Sequence, residues 1–304
     1  MKPLLYLTFI LFFTAGIKAQ INTSDQILFQ AKEDSLKKFA FEIVNGKDAA
    51  VRFRSDSNFT RILVRTLQIR NSFLYPLDSL KSISRLYAPD SSFRIFTWQV
   101  TKDESYTRQK GFIQLRTEDG SLRFFPLRDV SEFTQGLTDT IANTGGWIGA
   151  IYYRILLKEY QGKKTYTMLG YDENNARTTK KWIELLEFDS RQNPILGKYN
   201  GFSFMEDSVF RPTMNRFVLE YKKDGRARIQ YDEELDMIIF DHLISETSEP
   251  GKKYTLIPDG DYEGFKWKDG RWLHIDKVFD LKLKDGEAPV PMPFNEKKLP
   301  GDGN

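Results

Sequence analysis

The chain has no cysteine and only two histidines, His242 and His274. Without cysteine there are no disulfide staples, thiol nucleophiles or thiolate metal sites, so an exported form must fold on its core alone. The acylated cysteine of a bacterial lipoprotein is excluded as well. Two histidines cannot build a multi-histidine zinc centre. Gly-x-x-x-x-Gly-Lys-Ser/Thr, Gly-x-Gly-x-x-Gly and His-Glu-x-x-His are all missing, and with them the phosphate loop, the dinucleotide fingerprint and the zinc-protease helix. Gly201-Phe202-Ser203-Phe204-Met205 comes nearest to a nucleophile elbow but lacks the second glycine. Charge of one sign is lacking too: 45 Lys and Arg stand against 42 Asp and Glu, for a net +3. Nucleic-acid binders carry a basic patch or stripe, and none is visible.

Long apolar runs are scarce. The one that stands out, Leu4 to Phe13, follows Lys2 and precedes Ala15-Gly16-Ile17-Lys18-Ala19. It is shorter than the roughly 20 residues a membrane-crossing helix needs. The pattern predicts a signal peptide over 1–19, cleaved before Gln20, and an exported protein, periplasmic or secreted, with no membrane span after cleavage. What remains is aromatic and globular: 24 Phe, 14 Tyr and 5 Trp, with 40% hydrophobic and 29% charged residues.

Periodicity divides the chain. A helical region is expected over 20–90. Its first helix runs over 24–45, capped by Ser24 or Asp25 and stopped by Asn45-Gly46. A second spans about 56–71, capped by Ser57, and a last helical turn carries Leu80, Ile83 and Leu86. From Ser92 the period becomes two. Strands are expected at 93–100, 111–116, 121–125, 148–160, 165–171, 182–188, 217–221, 229–231, 237–240 and 272–275. Hairpin turns fall at Asp119-Gly120, Gln161-Gly162, Asp224-Gly225 and Asp269-Gly270. The expected fold is α+β and mainly antiparallel β: N-terminal helices, then a β domain over 91–280 forming a large meander sheet, sandwich or open barrel. An irregular β-propeller is the alternative, because two of the three gaps between these turns approach a blade period. Residues 281–304, rich in Lys, Pro and Gly, are expected to be a flexible tail.

Several phrases carry a resemblance: Phe93-Arg94-Ile95-Phe96-Thr97-Trp98, Leu169-Gly170-Tyr171-Asp172-Glu173-Asn174-Asn175, Asp236 to Leu243, and Pro258 to Phe265, together with the signal ending Ala19-Gln20. In these the chain resembles exported proteins of the Bacteroidota that have no assigned activity. The resemblance implies export and supplies no functional residue.

Candidate chemistry is sparse. Trp147 in Gly145-Gly146-Trp147-Ile148-Gly149, the polar run Asp172, Asn174 and Asn175, and His242 beside Asp241 are the candidate ligand contacts. Glycines beside Trp147 allow close backbone approach, and the five tryptophans together could form a sugar-stacking platform or simply core. Asp259, Asp261 and Glu263, with Gly264 next, place acids at positions one, three and five of a calcium-loop pattern, although Gly270 stands where the twelfth-position Glu belongs. Calcium is thus the one cation suggested, and no other cofactor is expected. The expected function is non-catalytic binding of an envelope component, a protein partner or a glycan. The alternative is a carboxylate-dependent hydrolase acting on glycans, which would need two carboxylates facing each other across a cleft.

Overall fold

The computed structural model describes residues 21–206, 209–210 and 213–279, without the side chains of 205–212. The expected signal peptide and C-terminal tail lie outside the described residues. Helix α1 (Thr23–Asn45) starts at Asn22, whose side chain accepts from the Asp25 amide at 2.7 Å. Phe29, Glu33, Leu36, Ala40 and Ile43 recur at alternating steps of four and three and form its buried stripe. Glu33 belongs there because Tyr75 Oη (2.6 Å) and the Ser79 amide and hydroxyl (both 2.7 Å) satisfy its carboxylate.

Helix α2 (Ala49–Leu67) begins a full two turns before the expected Ser57 cap, at Asp48, which accepts from the Val51 amide at 2.8 Å. Its first turns are polar, which hides them from a search for apolar periodicity, yet those groups point inward. Arg52 donates to the carbonyls of Thr101, Gly46 and Lys102. Asp56, buried, accepts from Trp98 Nε1 at 2.8 Å and faces Lys110 at 3.3 Å. The expected third helical element is instead a pair of turns over Leu77–Ile83 leading into strand β1 (Ser84–Tyr87).

Three large, mainly antiparallel sheets and one two-stranded ladder of β10 and β11 follow. The first has the order β1, β2 (Phe93–Asp103), β3 (Tyr106–Leu115), β4 (Arg123–Leu127). The second is built on β5 (Ile151–Tyr160), β6 (Lys163–Asp172) and β7 (Thr178–Phe188), with short β8 (Pro194–Leu196) on part of β7. Short strands β9 (Phe202–Ser203), β10 (Met205–Glu206) and β11 (Val209–Phe210) come next, and β12 (Phe217–Lys222) closes the second sheet against β7. The third is β13 (Ile229–Asp232), β14 (Met237–Ser245), β15 (Leu256–Lys268) and β16 (Arg271–Ile275), with β9 added in parallel to β16. Two hairpins confirm their sequence signal in detail. Gln161-Gly162 and Asp269-Gly270 are two-residue turns with positive φ at both positions, between the pairs Tyr160↔Lys163 and Lys268↔Arg271.

The helices and sheets stack in four layers, because strand parity sends alternate residues to opposite neighbours. Along β2, Phe96, Trp98 and Val100 pack against Leu36, Ala40, Phe59 and Leu63 of the helices. Phe93 and Ile95 point the other way, onto Tyr166, Met168 and Trp182 of the second sheet. From that sheet's far face Leu169, Ile183, Leu185 and Leu219 meet Ile238, Phe240, Phe265 and Trp272 of the third. The meander architecture expected from sequence is therefore present as several sheets, with no closed barrel among the described residues. No described helix is long and apolar enough to cross a membrane.

Candidate functional site

At one end of the interface between the first and second sheets lies a cavity of about 670 Å³. Turns from both sheets build its rim: Asp90–Ser92 between β1 and β2, Arg116–Glu118 after β3, and Gln192 after β7. Phe93, Tyr166 and Phe188 form an aromatic wall. Phe93 and Tyr166 meet edge to face at 4.8 Å, and Phe188 lies 5.4 Å from Phe93 and 5.9 Å from Tyr166. A concave apolar wall with a few convergent polar groups is the usual form of a small-ligand site.

Asp90 is the polar centre. Its Oδ1 accepts from the Ser92 amide (3.2 Å) and hydroxyl (2.7 Å), and its Oδ2 from Lys164 Nζ (2.8 Å) and Tyr166 Oη (2.9 Å). Burial would raise its pKa, but the bonds from Lys164, Ser92 and Tyr166 outweigh that and hold it down at about 2. The local Asp-x-Ser turn is not what sets Asp90 apart. Asp103, Asp119 and Asp129 make the same turn with Ser105, Ser121 and Ser131. Only Asp90 among these four adds bonds reaching across to the second sheet, from Lys164 and Tyr166.

The residues singled out from sequence fall elsewhere. Trp147 is fully buried between the first and second sheets, its Nε1 donating to Tyr152 Oη at 2.9 Å. Trp98, Trp182 and Trp272 are buried as well, so the tryptophans form no exposed platform. Asp172, Asn174 and Asn175 do share the β6–β7 connection, where they close the turn: Asp172 accepts from the Asn174 amide (2.8 Å), Asn174 Nδ2 donates to Thr178 and Glu220, and Asn175 accepts from the Arg177 and Thr178 amides. Asp172 is buried and also accepts from Gln109 Nε2 of β3. Burial, with the Asp129 charge adding to it, raises its pKa to about 6 against the opposing Asn174 bond and Lys180.

Pro258-Asp259-Gly260, whose residue types favour a turn, is an internal part of β15. Pairing jumps from Asp241↔Tyr262 to Leu243↔Pro258, so Asp259, Gly260 and Asp261 bulge opposite His242, with Gly260 at φ +99°. The extended backbone gives the three acids separate partners. Asp259 Oδ2 meets His242 Nδ1 at 2.8 Å, Asp261 lies 4.0 Å from Lys277 Nζ, and Glu263 Oε2 meets His274 Nε2 at 2.5 Å. Both histidines thus flank Glu263, whose Oε1 is 4.0 Å from His242 Nε2. No group of three or more His, Asp or Glu among the described residues is disposed to hold a metal ion. The His274 ring gives a reason. Its Nδ1 is buried without a partner, so a metal on Nε2 would force a proton onto an atom with no acceptor.

Burial lowers the His242 pKa, but the Asp259 bond and the charges of Asp259, Glu263 and Asp261 outweigh it and leave it raised above 6.5. A raised folded-state value means that the histidine's stabilising contribution is full below 6.5 and fades as pH rises through the folded value. In a proton NMR titration the His242 ring should titrate above 6.5, and Asp259→Asn should bring it down. A midpoint unmoved by that substitution would contradict the pairing.

The aromatic wall and Asp90 were not found from sequence, since residues 90, 92, 116, 166 and 188 meet only after two sheets stack. The lone signal was the Asp-x-Ser spacing, which recurs at Asp103, Asp119 and Asp129 and so does not single out Asp90. No family model, curated protein or solved structure matches the chain.

Proposed function

We infer that this is an exported protein that binds a small ligand or envelope component in the inter-sheet cavity and performs no chemistry on it. Export rests on the signal-like segment over 1–19 and on the resemblance to exported Bacteroidota proteins. The binding reading rests on one observation above others: Asp90, on the cavity rim, is saturated by four donors and held ionised at about pKa 2. A general acid must hold its proton near the working pH, and a nucleophile or base must keep a lone pair free. Asp90 does neither, but it fixes Ser92 and Tyr166 for recognition.

The hydrolase reading has one observation in its favour. Asp172 carries a pKa raised to about 6 and feels the charge of Asp129, which is the electrostatic form of an acid–base pair. Asp172, however, is buried between the sheets and does not line the cavity.

Incubation with a panel of envelope and plant glycans separates the two readings. Binding predicts a melting temperature that rises with ligand concentration while no reducing ends appear. Reducing ends released by the wild type and not by Asp172→Asn would overturn the non-catalytic assignment.

A further inference from the structure

The geometry of the cavity points to an uncharged, hydroxyl-rich ring ligand, a neutral oligosaccharide, as its occupant; this rests on the cavity being the binding site. Ser92 Oγ and Tyr166 Oη each carry a single proton. Each lies within bonding distance of an Asp90 oxygen, at 2.7 and 2.9 Å, and the two hydroxyl oxygens are 3.0 Å apart. An ionised carboxylate is a stronger acceptor than a neutral hydroxyl. Both protons therefore turn toward Asp90, and the two oxygens are left as acceptors side by side. A ligand that meets this pair has to bring hydrogens, as hydroxyls or as amines.

Charge decides between those. An ammonium group would want an uncompensated anion, but Asp90 is already neutralised by Lys164 at 2.8 Å and each of its oxygens accepts twice. A carboxylate or phosphate group would bring acceptors to two oxygens whose hydrogens are already given to Asp90. At the rim Arg116 and Glu118 stand two residues apart with opposite charges, so neither sign prevails there. A pyranose ring combines the required features: hydroxyl hydrogens at its edge and an apolar C–H face for the half-buried Phe188, which packs on the buried Phe93 and Tyr166. The volume of about 670 Å³ falls within the ordinary range for small-ligand sites.

Calorimetric titration tests this with three probes of one length: cellotriose (neutral), trigalacturonate (anionic) and fully deacetylated chitotriose (cationic). The wild type should bind cellotriose and neither charged probe, and Tyr166→Phe should weaken cellotriose about tenfold, the order expected for one hydrogen bond. Lys164 is half exposed, so Lys164→Met provides a variant with little risk to folding. It leaves the Asp90 charge uncompensated and should bring in chitotriose binding. A preference for either charged probe that Tyr166→Phe abolishes overturns the ligand class and keeps the cavity as the site. Cellotriose binding unchanged in both variants puts the sugar elsewhere and overturns the cavity reading too. No binding of any probe overturns the assignment of a carbohydrate.

Discussion

Asp172→Asn is expected to stabilise the protein at neutral pH by about 3 kcal/mol and to leave it unchanged at pH 3. The buried carboxyl has its pKa raised from 3.8 to about 6, chiefly by loss of water. Between those values the folded state holds a proton that the unfolded chain releases. Stability from this group is therefore full below 3.8, falls as pH rises through about 6, and stays low above it. The rise from 3.8 to about 6 corresponds to about 3 kcal/mol. Asparagine removes the charge and keeps the bonds, since the Gln109 amide and the Asn174 backbone N–H both donate to Oδ1, which the amide retains. Urea unfolding at pH 3 and pH 7.5 checks it. Equal midpoint changes at the two values would show that packing, not ionisation, is being measured.

The opposite effect is expected at Arg216. Its guanidinium and the Glu184 carboxylate are both buried, with Nε 3.0 Å from Oε2, while Nη1 ties down the Leu137 carbonyl and the Thr140 hydroxyl in the segment between β4 and β5. Burial raises the Glu184 pKa even against this partner, so the desolvation cost is large and the pairing only offsets it. Arg216→Ala should cost about 3–5 kcal/mol by stranding a buried carboxylate. The double change Arg216→Met with Glu184→Met should cost much less, because it leaves no charge unpaired. Denaturant unfolding of Arg216→Met, Glu184→Met and the double variant gives the coupling directly. Additive losses would mean that the two groups stabilise separate contacts.

Local chemistry was legible in the sequence where one segment carried it alone. The Gln161-Gly162 and Asp269-Gly270 turns are of this kind, since their positive-φ residues act within a few positions; the extent of α1 was legible too, but its cap is Asn22 in place of Ser24 or Asp25. The early turns of α2 were hidden because Arg52 and Asp56 make their inward contacts with polar groups. Strand β15 was hidden for a different reason. Pro258, Asp259, Gly260 and Asp261 spell a turn, and the sheet absorbs them as a bulge opposite His242. Had β15 been read as a strand, the tight turn at Asp269-Gly270 would have set Phe265 opposite His274, with Glu263 next along the same face. The cavity was out of reach. Asp90 and Tyr166 are far apart in sequence, and their meeting depends on which face of β2 packs on which face of β6.

We propose ligand binding in the cavity between the first two sheets. Amide chemical-shift mapping with cellotriose tests it most directly. The account predicts perturbations gathered at Ser91–Phe93, Leu115–Gly120, Tyr166 and Gln192, with the Asp259–Glu263 bulge undisturbed. Perturbations centred on that bulge, or none at saturating cellotriose, would contradict it.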